Sequence, residues 1–211
     1  MPRTSRIDAP GALHHIIFRG LERRRIFRDD EDRDNFLDRL GGVLQEKGTT
    51  CYAWALIPNH GHLLLKTGNT PASKVMQRVL TGHAIYFNRR HHRHGKLFQN
   101  RYKSILCQED TYLLELIRYI HLNPIRAGIV DDLDRFDAYK YTGHSTIMGC
   151  ILFAPAFFRN PVIGSACLPY LYRSECRSGT SFRSDRRGSH QEPRWMGSGN
   201  HGAKVHRSYQ N

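Results

Sequence analysis

Apolar positions along the first two thirds of the chain switch between two periods, and the switches delimit elements. His14-His15-Ile16-Ile17-Phe18 reads as a strand closed by Gly20 and followed by the cationic turn Glu22-Arg23-Arg24-Arg25. Phe36, Leu37, Leu40, Val43 and Leu44 then recur on one helical stripe, with Asp29 or Asp30 as its cap and Gly48 near its end. Cys51 to Leu56 is a second strand, Pro58-Asn59 a turn, and His60 to Lys66 a third strand. Pro71 opens a second helix with Ala72, Val75, Met76, Val79, Leu80 and Phe87 on one face. That helix is expected to run out into Arg89-Arg90-His91-His92-Arg93-His94-Gly95, a solvated or nucleic-acid-facing loop of cations. Asn100 to Leu106 is a polar fourth strand. Asp110 caps a third helix through Leu113, Leu114, Ile117 and Ile120, which should stop at Asn123-Pro124 because the residue before a proline is pushed out of the helical region.

The order β-α-β-β-α-β-α contains, in its first six elements, the ferredoxin-like arrangement: an α+β fold with an antiparallel sheet and helices packed on one face. Residues 1–149 form this domain. From 150 to 211 the pattern fails. Ile151 to Ala156 allows a short strand, but from Arg173 onward Ser, Gly, Arg and His dominate with neither period, which reads as an irregular, disordered basic tail. A shifted reading frame is a second explanation of this tail, because the back-translation of Gln191-Glu192-Pro193-Arg194-Trp195-Met196 admits Arg-Ser-Leu-Gly-Gly-Trp in the neighbouring frame.

Charge narrows the partner. The 211 residues carry a formal net charge of +13, which favours a polyanion, nucleic acid before membrane. Cys51, Cys107, Cys150, Cys167 and Cys176 are odd in number and never stand as Cys-x-x-Cys, against a zinc ribbon or a disulfide scaffold. No apolar run approaches the ~20 residues of a membrane span, and Met1-Pro2-Arg3-Thr4-Ser5-Arg6 has no apolar signal core, so a reduced, cytoplasmic and nucleoid-associated setting is expected.

Two stretches carry candidate chemistry. In a strand the side chains alternate, so His60 and His62 point to one face and Leu63 and Leu65 to the other. Two imidazoles on one face can share a metal ion, leaving room for a third ligand and a substrate oxygen; two rings bonded within an ordinary sheet would look the same in sequence. In the third helix, Tyr119 and Asn123 stand one turn apart on a shared face. A tyrosine hydroxyl attacks phosphorus when its proton is removed and the phosphate charge is neutralised, and an Asn amide oxygen can be the third metal ligand. A half-buried aromatic and a helix-end cap account for the same pair without chemistry. His14 and His15 read as ordinary sheet residues, and His121 falls off the Tyr119/Asn123 face.

Ile57-Pro58-Asn59-His60-Gly61-His62-Leu63-Leu64, Phe98-Gln99-Asn100-Arg101-Tyr102-Lys103 and Tyr119-Ile120-His121-Leu122-Asn123-Pro124-Ile125-Arg126-Ala127-Gly128 together closely resemble the single-tyrosine HUH transposases, in particular the REP-associated tyrosine transposase branch. The resemblance implies an enzyme acting on single-stranded DNA beside a folded hairpin, as a monomer or homodimer. It implies Tyr119 as nucleophile forming a 5′-phosphotyrosine bond, with His60, His62 and Asn123 as ligands of Mg²⁺ or Mn²⁺. Arg3, Arg6, Arg101 and Lys103 would lie near DNA. The other readings are a rolling-circle initiator or relaxase, which shares this chemistry, and a DNA-binding remnant without catalysis. The family usually has a bulky apolar residue between the two histidines, and this chain has Gly61. A glycine there is expected to leave a hole and loosen the strand, so that a β-branched replacement would stabilise it.

Overall fold

Strands β1 (Leu13–Arg19), β2 (Thr50–Ile57), β3 (His60–Lys66) and β4 (Lys103–Cys107) form one sheet in the order β2-β3-β1-β4, every neighbouring pair antiparallel. Helices α1 (Asp30–Lys47) and α2 (Ala72–Arg90) join them into β-α-β-β-α-β, followed by α3 (Glu109–His121) and three short helices, α4 (Asn123–Arg126), α5 (Leu133–Asp137) and α6 (Gly143–Ile147). This is the ferredoxin-like α+β fold. The computed structural model describes residues 9–107 and 109–147, with side chains from 113 onward in the second segment. Arg3, Arg6, the side chain of Asp110, and the tail from 150 with its expected strand lie outside the described residues.

Local chemistry fixes the helix ends. Asp29 caps α1 by accepting a hydrogen bond from the backbone N–H of Asp32 at 3.1 Å, and Gly48 closes the helix with φ 60°, a left-handed conformation that glycine adopts without strain. The apolar stripes of both helices then meet one face of the sheet. Ile16 and Phe18 of β1, Leu63 and Leu65 of β3, and Trp54 and Leu56 of β2 form a single core with Phe36, Leu40, Val79 and Phe87. Directly paired residues share a face, so the opposite face carries His15, Ile17 and Arg19 of β1, His60 and His62 of β3, and Lys103 and Ile105 of β4. Helix α3 packs across β2 and β3 and brings Tyr119 onto that second face.

Three sequence expectations change. Strand β4 starts at Lys103 instead of Asn100, because Phe98 is anchored edge-on to Phe18, 6.0 Å between ring centres, in a lone bridge with Gly20. Gln99 N–H still bonds to Arg19 at 3.0 Å, and residues 100–102 loop out before pairing resumes at Ile17 and Lys103.

The expected cationic loop begins later as well. Arg90 ends α2, and its guanidinium bonds to Asp29 (2.8 Å), Glu31 (2.7 Å) and the fully buried Asp32 (2.7 Å). His91 Nε2 lies 2.9 Å from the other Asp32 oxygen, with its ring 4.4 Å from that of Phe87. These two residues pin the end of α2 to the start of α1. Their charge serves the fold instead of lying in a solvated loop.

Pro124 marks the third change. α3 ends at His121, Leu122 keeps helical angles (φ −75°, ψ −2°), and Pro124 sits in the first turn of α4, where its missing N–H has no helical partner to lose.

Candidate active site

Position in the sheet brings the two histidines of β3 together. His60 and His62 are each 4% exposed, with ring centres 5.1 Å apart. His60 Nδ1 lies 2.6 Å from the Asn59 side-chain oxygen. An amide oxygen only accepts, so Nδ1 carries the proton and Nε2 keeps the lone pair in the neutral ring. His62 Nδ1 lies 3.1 Å from Nε2 of His15. His15 belongs to β1, where it stands diagonal to His62 across the ladder. It is fully buried, and burial, then the nearby Lys103 ammonium, push its pKa down to about 4. A neutral ring at that position shares one proton with His62. His15 is thus part of the cluster, not an ordinary sheet residue. His14, by contrast, bonds to the Ser104 hydroxyl at 3.1 Å, away from the cluster.

Helix α3 supplies the third ring. Tyr119 meets His62 and His15 edge-to-face, with centre distances of 6.1 and 6.2 Å. One turn on, the buried Asn123 donates its side-chain N–H groups to the carbonyl oxygens of Tyr119 (2.8 Å) and Ile120 (3.2 Å). The amide nitrogen is thereby committed to the end of α3, and the oxygen is the end of this side chain with metal-binding capacity. A further turn on, the Arg126 guanidinium carbon lies 4.7 Å from the centre of the Tyr119 ring.

The two basic strand candidates separate. Lys103 pairs with Ile17, which pairs with His62, so all three stand in one row on the histidine face. Arg101 lies in the loop before β4 and lines a groove of about 710 Å³ together with Lys74 and Asn88 of α2 and Lys96 and Asn100 of the loop. His121 is buried with its pKa pushed down to about 3 by burial, its ring 6.4 Å from His144, and stays outside the Tyr119 cluster as its sequence position implies.

Among the described residues no three His, Cys, Asp or Glu side chains are placed to hold one ion together. His60 and His62 could hold a divalent ion with the Asn123 amide oxygen as a third donor, a set that would leave coordination positions for phosphate oxygens and water. Sequence reasoning missed His15 and Asn59, the partners of the two histidines. Asn59 was legible as the neighbour of His60. His15 required the register between β1 and β3.

No curated protein matches the chain. Among solved structures, it resembles a REP-associated tyrosine transposase bound to a REP hairpin, with a TM-score of 0.57 at 15% identity over 79% of this chain and 96% of that one. A transposase-like protein of Deinococcus radiodurans R1 aligns at 21% identity over 56% of this chain and 95% of its own, with a TM-score of 0.40. Among the described residues no helix is long and apolar enough to cross a membrane. The family model for IS200-like transposases matches residues 10–123, which span β1 through the Tyr119/Asn123 turn, and the chain belongs to that family.

Proposed function

We propose that the protein is a metal-dependent single-stranded DNA endonuclease and strand transferase that acts beside a hairpin through a 5′-phosphotyrosine bond at Tyr119. The observation that carries this reading is the Tyr119 ring packed edge-on to His62, 6.1 Å between centres, on the polar face of the sheet. The hairpin partner is supported by the hairpin-bound transposase that shares this fold.

Each residue has a part in this reading. Tyr119 forms a bond to the scissile phosphorus as the bond from phosphorus to the 3′-oxygen breaks, so the ester energy is kept for rejoining to another 3′-hydroxyl. His60, His62 and the Asn123 oxygen would hold Mg²⁺ or Mn²⁺, which when bound would supply Lewis acidity at the phosphate. Asn59 and His15 orient the two imidazoles through their Nδ1 atoms, at 2.6 and 3.1 Å. Lys103 lies in the same row as His62 and meets the DNA backbone there, while Arg101 follows it along the α2 groove. Arg3 and Arg6 extend that basic track.

The test is a labelled single strand bearing a hairpin, incubated with the full chain and Mn²⁺. A covalent protein–DNA adduct that maps to Tyr119 and vanishes in Tyr119→Phe, with DNA affinity retained, is the expected result. Binding without an adduct would instead identify a DNA-binding remnant.

A further inference from the structure

Arg126 is not among the residues assigned to the reaction above. It is exposed, on the last turn of the short helix α4, and its guanidinium carbon lies 4.7 Å from the centre of the Tyr119 ring. The chain arrives there by a specific route. Leu122 N–H bonds to Arg118 at 3.0 Å and Arg126 N–H to Leu122 at 3.1 Å, so the helical path continues across the Pro124 junction and returns Arg126 to the Tyr119 side two turns on. Gly128, with φ 64°, then turns the chain away, and Ile129 N–H closes on Pro124 at 2.9 Å. The guanidinium is therefore carried on a backbone bonded at both ends.

We propose that Arg126 is a further catalytic residue: lying over the Tyr119 ring, it binds a non-bridging oxygen of the phosphate that Tyr119 attacks and stabilises the negative charge of the reaction. This rests on the reading of Tyr119 as the nucleophile. Two physical features favour it. The Arg126 guanidinium lies over the ring of the nucleophile, within reach of a phosphate that the Tyr119 oxygen approaches, and its planar fork matches two phosphate oxygens. Its attraction for the phosphate grows as negative charge develops there, so it lowers the barrier more than it tightens ground-state binding. In the step itself, the Tyr119 oxygen–phosphorus bond forms and the phosphorus–O3′ bond breaks. The phenol proton passes to water and the departing 3′-oxygen takes one up, so nothing is oxidised or reduced.

Arg126 also differs from the other cations near the nucleophile. Lys103 is a strand residue that reaches the site through the row Ile17–His62, and Arg118, in the last turn of α3, stands next to Tyr119 in sequence and so off its face of the helix. Arg126 lies over the face of the Tyr119 ring.

The experiment compares wild type, Arg126→Ala and Arg126→Lys with a hairpin-bearing single strand at saturating protein and Mn²⁺, reading single-turnover adduct formation. Equilibrium DNA affinity and Mn²⁺ affinity are read in parallel. Arg126→Ala is expected to slow adduct formation by roughly a hundredfold, the order found when one oxyanion donor is removed. DNA affinity should change by less than about threefold and Mn²⁺ affinity not at all, since one phosphate contact of many is lost. Arg126→Lys should recover part of the rate, as a cation without the fork. A methylphosphonate at the scissile position should penalise wild type much more than Arg126→Ala. Unchanged adduct formation in Arg126→Ala, or a loss fully explained by weaker DNA binding, overturns the proposal and leaves the Tyr119 reading intact. If wild type forms no adduct at Tyr119, both fall together.

Discussion

The Phe18 ring occupies the space that a side chain at Gly61 would need. The two residues face each other across the β1–β3 ladder, and a Cβ at Gly61 would lie 2.8 and 2.9 Å from the two Cε atoms of the ring and closer still to Cζ. Phe18 is held there by stacking on Phe36 at 5.2 Å and by the edge of Phe98 at 6.0 Å. The gap expected between the two histidines is thus filled from the neighbouring strand, an aromatic covering a strand glycine. Gly61 consequently gives no support to an impaired enzyme. The sign of its replacement reverses too: Gly61→Val should destabilise the fold by about 1–3 kcal/mol through overpacking. Urea denaturation measures this, and the double variant Phe18→Leu with Gly61→Val should recover part of the loss. A Gly61→Val protein as stable as wild type would refute the account.

What the sequence made legible was the period within each element. Alternation in β3 puts His60 and His62 on one face, and the helical stripe of α1 identifies Phe36, Leu40 and Leu44 as core. What it left hidden was the register between elements. Phe18 meets Gly61, and His15 meets His62, only because β1 lies beside β3 with those residues in or near register. The displacement of Arg101 from the histidine face has the same origin, since Phe98 docks into the core and forces the intervening residues to loop out. Arg90 and His91 read as free cations because their partner Asp32 is distant in sequence, at the far end of another helix.

Acid should weaken the fold through two buried imidazoles that take no part in the proposed reaction. His83 lies against Phe27 and Phe36, 5.0 and 5.2 Å between centres, and burial lowers its pKa from 6.5 to about 4 despite its bond to the Ile26 carbonyl. His121 is lowered to about 3 by burial, with His144 adding to the shift. Both rings stay neutral in the folded chain, whereas in the unfolded chain they protonate near 6.5. Below that value the unfolded state binds more protons, so stability falls with pH from about 6.5 towards 4. At pH 5.5 each group costs on the order of 1 kcal/mol. Denaturation midpoints at pH 7.5 and 5.5 check this, and His83→Gln, which keeps a donor for Ile26 without titrating, should flatten the dependence. An unchanged slope in that variant would remove His83 from the account.

His15 should govern metal affinity without being a ligand. For His62 to bind an ion through Nε2, its Nδ1 must hold the proton and donate it to Nε2 of His15, 3.1 Å away. His15→Ala removes that acceptor, and Mn²⁺ affinity should fall about 10–100-fold, the usual size for loss of a partner behind a ligand. His15→Gln, whose amide oxygen can accept the same proton, should retain most of the affinity. Calorimetry in the absence of DNA reads this independently of turnover. Equal Mn²⁺ affinity in wild type and His15→Ala would mean that the His15–His62 bond serves packing alone.

Asn123 is asked to do two things, and they can be separated. Its N–H groups close the end of α3 on Tyr119 and Ile120 at 2.8 and 3.2 Å, while its oxygen is the proposed third ligand. Asn123→Ala loses both functions. Stability should drop by about 1–2 kcal/mol, because the side chain is buried and its bonds are to carbonyls that water reaches poorly. Adduct formation should also fall, and be partly restored by raised Mn²⁺, since water replaces an amide ligand more easily than an imidazole. Asn123→Asp breaks the tie: a carboxylate cannot donate to the two carbonyls, so the helix end should be weakened as in Asn123→Ala, yet it is the stronger ligand and Mn²⁺ affinity should equal or exceed that of wild type. If metal affinity is the same in all three proteins, Asn123 only caps the helix. If Asn123→Asp binds Mn²⁺ tightly and forms adduct faster than Asn123→Ala at equal stability, the oxygen is a ligand and the two amide N–H groups are there to aim it.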